Sequence, residues 1–412
     1  DSSGSGENMI SGRTSILELS RICAEIGFCL LFPVFFFYHL AVTSQLIPGI
    51  FGGLFGPITV VLTAIFILAA PAILARYGRG GKNVIFAFAL IFFYCAFWFI
   101  IHHHTTSASY REEAAEQVLG LLFAWLALFV IGVILPVQRA RLHWMLGIGL
   151  GLIACTVFLF VESETMMFNP RSLYEFSDRV ATYQGYARSA FLTALFLLGV
   201  SSTVLGRAGV SIVAIPVLFL LGARSELFGF IAIVGVLFLM DGWRSGRRAV
   251  VLLAAVGASA AFLAGHIDDF MASRQAQVLD ISHATSWVSR NEYQALALQQ
   301  IAEHPLVGSY GGNFEAGGKG SYAHNALSAW VSFGLPGFCM YVGLTLYCAT
   351  VSFARLRRQP SSGSAWRLSF CVNLAALLLI VVAKPVFWAV PAFGWGLVVN
   401  AMGSDTRRSG NR

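Results

Sequence analysis

Charge is what this sequence has least of. Of its 412 residues, 11% are charged and 57% hydrophobic, whereas a soluble domain of ordinary composition carries roughly 25% charged residues. With a mean hydropathy of +0.73, that deficit excludes a large soluble enzyme. Cysteine lacks pattern: Cys23, Cys29, Cys95, Cys155, Cys339, Cys348 and Cys371 all fall inside apolar runs. An odd set so placed gives neither a disulfide framework nor a metal-ligand spacing, and it reads as small packing residues. Internal repeats, heptad runs and a second soluble domain are also missing. A formal charge of +7 invites a nucleic-acid reading, but the basic residues sit in short loops between apolar runs, as an orientation signal does. No nucleic-acid partner is expected.

Apolar runs near 20 residues are what the chain has in abundance, and they predict an all-α, polytopic transmembrane helical bundle. Twelve spans are expected, centred on 22–42, 57–76, 84–101, 115–136, 144–161, 189–206, 209–223, 226–241, 249–266, 326–354, 368–384 and 386–402. The division of 189–241 rests on two short turns, GRAG at 206–209 and ARSE at 223–226. Pro48 and paired glycines leave room for a half-helix over 46–55. The opening DSSGSGEN (1–8) reads as an appended tag remnant, which leaves 9–412 as one transmembrane domain. The first apolar run is long enough to stay in the bilayer, so no cleavable signal peptide is expected.

The distribution of basic residues orients this path. With an inward N-terminus, 18 of the 27 Lys and Arg fall on the inner side, which places both termini in the cytoplasm. Three polar intervals then face outward, at 102–114, 162–188 and 267–325. The last is a lid loop between the ninth and tenth spans. Within it, 288–303 has helical composition with Ala295, Leu298 and Ala302 on an apolar side, and His304-Pro305 ends the helix. The glycine-rich 308–320 that follows must be mobile or tightly turned.

The chemistry-bearing residues lie on that outer side. His324-Asn325 opens the tenth span. A histidine at the positive end of a helix dipole is disfavoured as imidazolium, and a neutral imidazole accepts a proton, as a general base must. The alternative is an interfacial histidine that caps the helix. Arg290 begins the lid helix, where its guanidinium fork matches phosphate oxygens, unless it only pairs with Glu292. Arg224 interrupts a nearly continuous apolar stretch, and an ionisable residue so placed is a functional candidate; pairing with Glu226 or snorkelling is the bland alternative. Arg171, Arg179 and Arg188, beside Tyr174, Tyr183 and Tyr186, suit a phosphorylated or sugar ligand or a solvated loop. Lys319 and Tyr322 are comparable second-rank candidates.

Other signals carry less. GNFEAGGKGS at 312–321 imitates a phosphate-binding loop, but its lysine comes one place late and no strand precedes it. His102, His103 and His104 are adjacent on one short loop and lack a completing ligand, so no metal is expected. Glu25 in the first span raises a proton relay, yet no acid or base recurs through the other spans to partner it.

In order, the motifs ARS at Arg224, R-N-x5-A-x3-I-x2-H-P-L-x-G from Arg290 to Gly308, and H-N-x-L-x2-W-x3-G-L-P-G from His324 resemble the O-antigen ligase/polymerase superfamily of bacterial membrane glycosyltransferases. The resemblance covers 224–337, with a looser match in span number elsewhere. It implies a GT-C-like bundle in the inner membrane with a periplasmic active site. It also implies transfer of glycan from undecaprenyl pyrophosphate to an acceptor hydroxyl, with no cofactor, nucleotide sugar or catalytic metal. His324 would be the base, Arg290 and Arg224 would hold the pyrophosphate, and Arg188, Lys319, Asn325 and Tyr322 would bind substrate. A ligase acting on lipid A-core is the expectation, with a polymerase that extends carrier-linked glycan as the alternative. Eight residues separate His324-Asn325 from Gly334 and the Arg290–His324 interval is 34 residues, both short for ligases. Outside this class, a polysaccharide or lipid transporter would also need many spans, but would be expected to show repeated halves and broken helices. Oligomeric state is left open.

Overall fold

The computed structural model describes residues 4–48, 55–75, 77–105, 110–162, 167–169, 183–242, 285–315, 321–358 and 363–410. In chain order the helices are α1 (Gly4–Leu31), α2 (Pro33–Thr43), α3 (Phe55–Leu74), α4 (Arg79–Thr105) and α5 (Arg111–Ile134). After α6 (Ala140–Leu159) comes the two-stranded hairpin β1 (Val161–Glu162) and β2 (Met167–Phe168). Next are α7 (Tyr183–Val200), α8 (Val204–Leu220), α9 (Arg224–Gly242) and α10 (Thr285–Glu303). The chain closes with α11 (Gly312–Glu315), α12 (Leu327–Arg358), α13 (Ser364–Val382) and α14 (Val390–Gly410). The protein is all-α in character, and among the described residues seven helices are long and apolar enough to cross a membrane. The sequence-read span at 249–266 lies outside the described residues. No half-helix forms over 46–48, where the chain turns, and 49–54 also lie outside them.

Two compact units divide the chain. Unit 1 comprises 1–30, 53–142 and 292–412, and unit 2 comprises 31–52 and 143–291. The core of unit 1 is the α5–α14 pair. A Cβ on Gly132 would come 2.5 Å from the Phe393 carbonyl oxygen, and one on Gly396 would collide with the Phe129 carbonyl. The two helices therefore touch backbone to backbone, the approach that small residues permit between membrane helices. Beside this contact Trp125, Tyr341 and Trp395 are fully buried, with ring centroids 5.8–6.0 Å apart. Asn373 Nδ2 donates to the Ser369 and Gly394 carbonyls, 2.8 Å each, so the donor side of this buried amide is paired.

Unit 1 also pairs the charge that looked isolated in sequence. Glu25 is fully buried, and its carboxylate accepts from Arg139, 2.8 Å away, and from Arg141. Arg139 and Arg21 both bond Glu18. The partners of Glu25 thus come from outside the sequence-read spans: Arg139 lies in the turn before α6 and Arg141 in the first turn of that helix, where both read as loop charges. Two cysteines depart from the packing role, since Cys155 and Cys339 are exposed on their helices.

In unit 2, α7, α8 and α9 run up, down and up through short turns. The first break is not at 206–209. Helix α8 already starts at Val204, because Thr203 caps it by accepting from the Gly206 nitrogen at 3.0 Å, and a threonine N-cap outweighs two helix-weakening glycines. Arg207 is consequently buried and donates to the Ser201 carbonyl at 2.9 Å. The second break lies where expected: Gly222 takes φ +71° after α8, and Arg224 opens α9.

Candidate functional site

His324 stands on a short segment fixed at both ends to unit 1. Asn325, not His324, caps α12: its side-chain oxygen accepts from the Leu327 nitrogen at 3.0 Å, and its carbonyl accepts from Ser328 Oγ at 2.7 Å. The Ala326 nitrogen donates to the Ile380 carbonyl at 2.6 Å, and Ser328 Oγ accepts from the Val386 nitrogen at 2.7 Å. These bonds tie the histidine segment to the last turn of α13 and to the link between α13 and α14. That link carries Lys384, a buried cation 6.0 Å from the Trp388 ring.

The His324 imidazole is half-buried between two phenols, its centroid 5.2 Å from Tyr322 and 6.5 Å from Tyr293. Tyr322 packs in turn on Phe387 at 5.5 Å, and burial raises its phenol pKa, so it is a neutral donor at physiological pH. Asn325 donates to Gln294 at 3.3 Å. Tyr293 and Gln294 belong to α10, so the lid helix abuts the candidate base directly.

Helix α10 runs over Thr285–Glu303, one turn longer at its start than the sequence implied. Its buried side is also different: Ala297, Gln300 and Ile301 face inward, whereas Ala295, Leu298 and Ala302 are exposed. Ala297 and Ile301 pack with Ala323 and Val331, and the Gln300 amide donates to the Gly312 carbonyl at 2.9 Å. Both sides of the helix are apolar in sequence, and this docking decides between them.

The end of the lid locks onto α12. Trp330 Nε1 donates to the Pro305 carbonyl at 2.7 Å, and the Ser309 nitrogen donates to the Val331 carbonyl at 2.6 Å. Here α12 breaks at Gly334, with φ +67° and ψ −178°, and Tyr94 donates to the Phe333 carbonyl at 2.9 Å. Two motifs separated in sequence, H-P-L-x-G and H-N…G-L-P-G, thus form one packed structure. The gap left between lid and bundle, lined by Tyr293, Gln300, Asn313, Ser321, Tyr322 and Ser332, is about 10 Å³, room for one water at most.

Arg290 is half-buried on α10, one turn before Gln294. Arg188 and Arg224 are both half-buried in unit 2. Arg188 sits in the second turn of α7 and Arg224 opens α9, helix starts that the up-down-up path puts at the same end. Glu226 is buried there, accepting from Ser225 Oγ at 2.6 Å and lying within electrostatic reach of Arg188. Arg188 also lies over the Phe35 ring at 5.6 Å, with His39 and Tyr186 close by: His39 is 4.2 Å from Phe35, and Tyr186 donates to Thr43 at 2.9 Å. Sequence reasoning missed Phe35 and His39 because they read as part of a span. Lys319, Arg171, Arg179 and Tyr174 lie outside the described residues.

The histidine triplet does not converge. His102 stacks toward Trp98 and Tyr310, and His103 toward Phe99. Among the described residues no group of three His, Cys, Asp or Glu could hold a metal ion. Neither a family model nor a curated protein matches the chain.

Proposed function

We propose that the protein is a multi-pass glycosyltransferase of the bacterial inner membrane, with a GT-C-like bundle of about twelve spans and a periplasmic active site. It acts as an O-antigen ligase that moves glycan from undecaprenyl pyrophosphate to a hydroxyl of lipid A-core. The observation that carries this reading is the packing of two separate motifs into a single structure from which a half-buried His324 reaches solvent between Tyr293 and Tyr322. Motif order, outward arginines and the lid supply the substrate class through the resemblance.

The reaction balances without a redox partner. The acceptor oxygen attacks the anomeric carbon, and the bond from that carbon to the pyrophosphate oxygen breaks, its electron pair leaving on the carrier. His324 takes the hydroxyl proton, a role worth typically 10²–10⁴ in rate, and attack opposite the leaving group inverts the anomeric centre. Arg224 and Arg290 offset the charge that grows on the leaving pyrophosphate. Arg188, Tyr322 and Asn325 orient substrate, and Lys319 adds an anion contact.

The test is in vitro transfer with purified wild type and His324→Ala, given undecaprenyl-pyrophosphate glycan and lipid A-core. Coupled product from wild type, lost in a folded mutant, supports a ligase with an essential base. Lengthened carrier-linked glycan would make it a polymerase. No product with donor demonstrably bound would overturn transferase activity and favour transport.

A further inference from the structure

A cavity lies in unit 1 at the end opposite His324, and nothing in the proposed reaction uses it. Its volume is about 290 Å³, and Arg21, Tyr77, Gln138, Arg139, Asn400 and Ser404 supply its polar wall. That volume is at the lower edge of small-molecule sites, which begin at roughly 300 Å³. It suits a compact headgroup rather than a glycan.

The wall is built rather than incidental. Tyr77 donates to the Val133 carbonyl at 2.8 Å, and Asn400 donates to Gly132 and Leu135 at 3.1 and 2.8 Å. These bonds hold the 135–139 turn against α14 and shape one side. On the other, carboxylates of α1 fix the guanidinium groups: Arg139 is held by Glu18 and Glu25, and Arg21 by Glu18 at 3.1 Å. A guanidinium has five N–H donors. Glu18 engages only Arg21 Nη1, so most of that fork is uncommitted among the described residues. Two arginines, Arg21 and Arg139, line the cavity, and no carboxylate is among its lining residues. Asp405, beside the lining residue Ser404, is engaged by Trp366 Nε1 at 2.9 Å.

We propose that this cavity binds a phosphate-bearing anion, with Arg21 as its principal contact and the headgroup of an anionic membrane phospholipid as its source. Basic pockets between transmembrane helices hold such headgroups, and a pre-oriented guanidinium matches phosphate geometry. Bound phosphate cross-links α1, the α5–α6 turn and α14, so it stabilises unit 1 without entering the chemistry at His324.

The experiment follows thermal unfolding of the purified full chain in neutral detergent during titration with phosphatidylglycerol, phosphatidylcholine or inorganic phosphate. Phosphatidylglycerol is expected to raise Tm saturably and phosphatidylcholine is not. Arg21→Gln removes a charge-assisted contact and is expected to weaken the apparent Kd roughly tenfold or more. Gln138→Glu places a negative charge at the exposed rim without disturbing the core and is expected to weaken it similarly. Arg358→Gln, an exposed basic control, is expected to leave it unchanged. An Arg21-dependent shift from inorganic phosphate alone would support the site with free phosphate as its source. Equal shifts in wild type, Arg21→Gln and Gln138→Glu, or no shift with any probe, would overturn the proposal.

Discussion

Gly308 and Gly334 lie back to back. A Cβ on Gly308 would come 2.8 Å from the Gly334 nitrogen, and both residues adopt positive φ, +72° and +67°. The lid's return segment crosses α12 at the one place where that helix is broken, and neither backbone tolerates a side chain there. The juxtaposition holds the lid over the His324 segment.

Gly308→Ala is therefore expected to destabilise the protein by about 1–3 kcal/mol from backbone strain alone, with the clash adding to it. Gly120→Ala is the control, because Gly120 lies in α5 with nothing within 4 Å of its would-be Cβ, and alanine favours a helix interior. Thermal unfolding in detergent should separate the two. Comparable Tm values would mean that the crossing is not under steric control.

Much of this was legible in sequence because membrane helices are written as long apolar runs, and the three motifs stood out as polar islands. Pairing was not legible. Glu25 and its arginines are over a hundred positions apart, and no local pattern announces an ion pair across that distance. The buried side of α10 was hidden for another reason: Leu298 and Ala295 are as apolar as Ile301 and Ala297, so periodicity gives no preference until Gln300 finds the Gly312 carbonyl. Among 206–209, glycine punctuation concealed a helix whose start Thr203 had already set.

Glu25→Gln should expose how far that hidden pair matters. Removing the buried charge leaves Arg139 with Glu18 alone and takes the counter-charge from Arg141, but both cations reach water, with side chains 33% and 61% exposed. The loss is expected near about 2 kcal/mol, below that of a fully buried broken pair. Glu18→Gln, whose side chain is 43% exposed, should cost less than about 1 kcal/mol. Unfolding midpoints of the two variants that coincide would contradict this ranking.

Arg224→Lys tests the proposed pyrophosphate contact. Lysine keeps the charge but loses the planar fork, so the donor KM is expected to rise roughly tenfold, with Tm within a degree or two of wild type. The same change in kcat with KM unmoved would assign Arg224 to the transition state rather than to donor binding.

Tyr310 gives a prediction in pH. It is buried against Phe99 and His102, and its hydroxyl has no hydrogen-bond partner among the described residues. Burial pushes its phenol pKa up to about 12, against about 10 in an unfolded chain. Below pH 10 both states keep the proton, so Tyr310 adds no pH dependence there. Between pH 10 and 12 the unfolded chain releases the proton while the folded one retains it, so stability falls as pH rises through that window. Other buried tyrosines contribute in the same direction, and Tyr310 is isolated by difference. Tyr310→Phe is expected to match wild type near pH 8 and to lose less stability from pH 10 to 12. Parallel wild-type and mutant curves across that range would show that Tyr310 titrates as freely in the fold as in the unfolded chain.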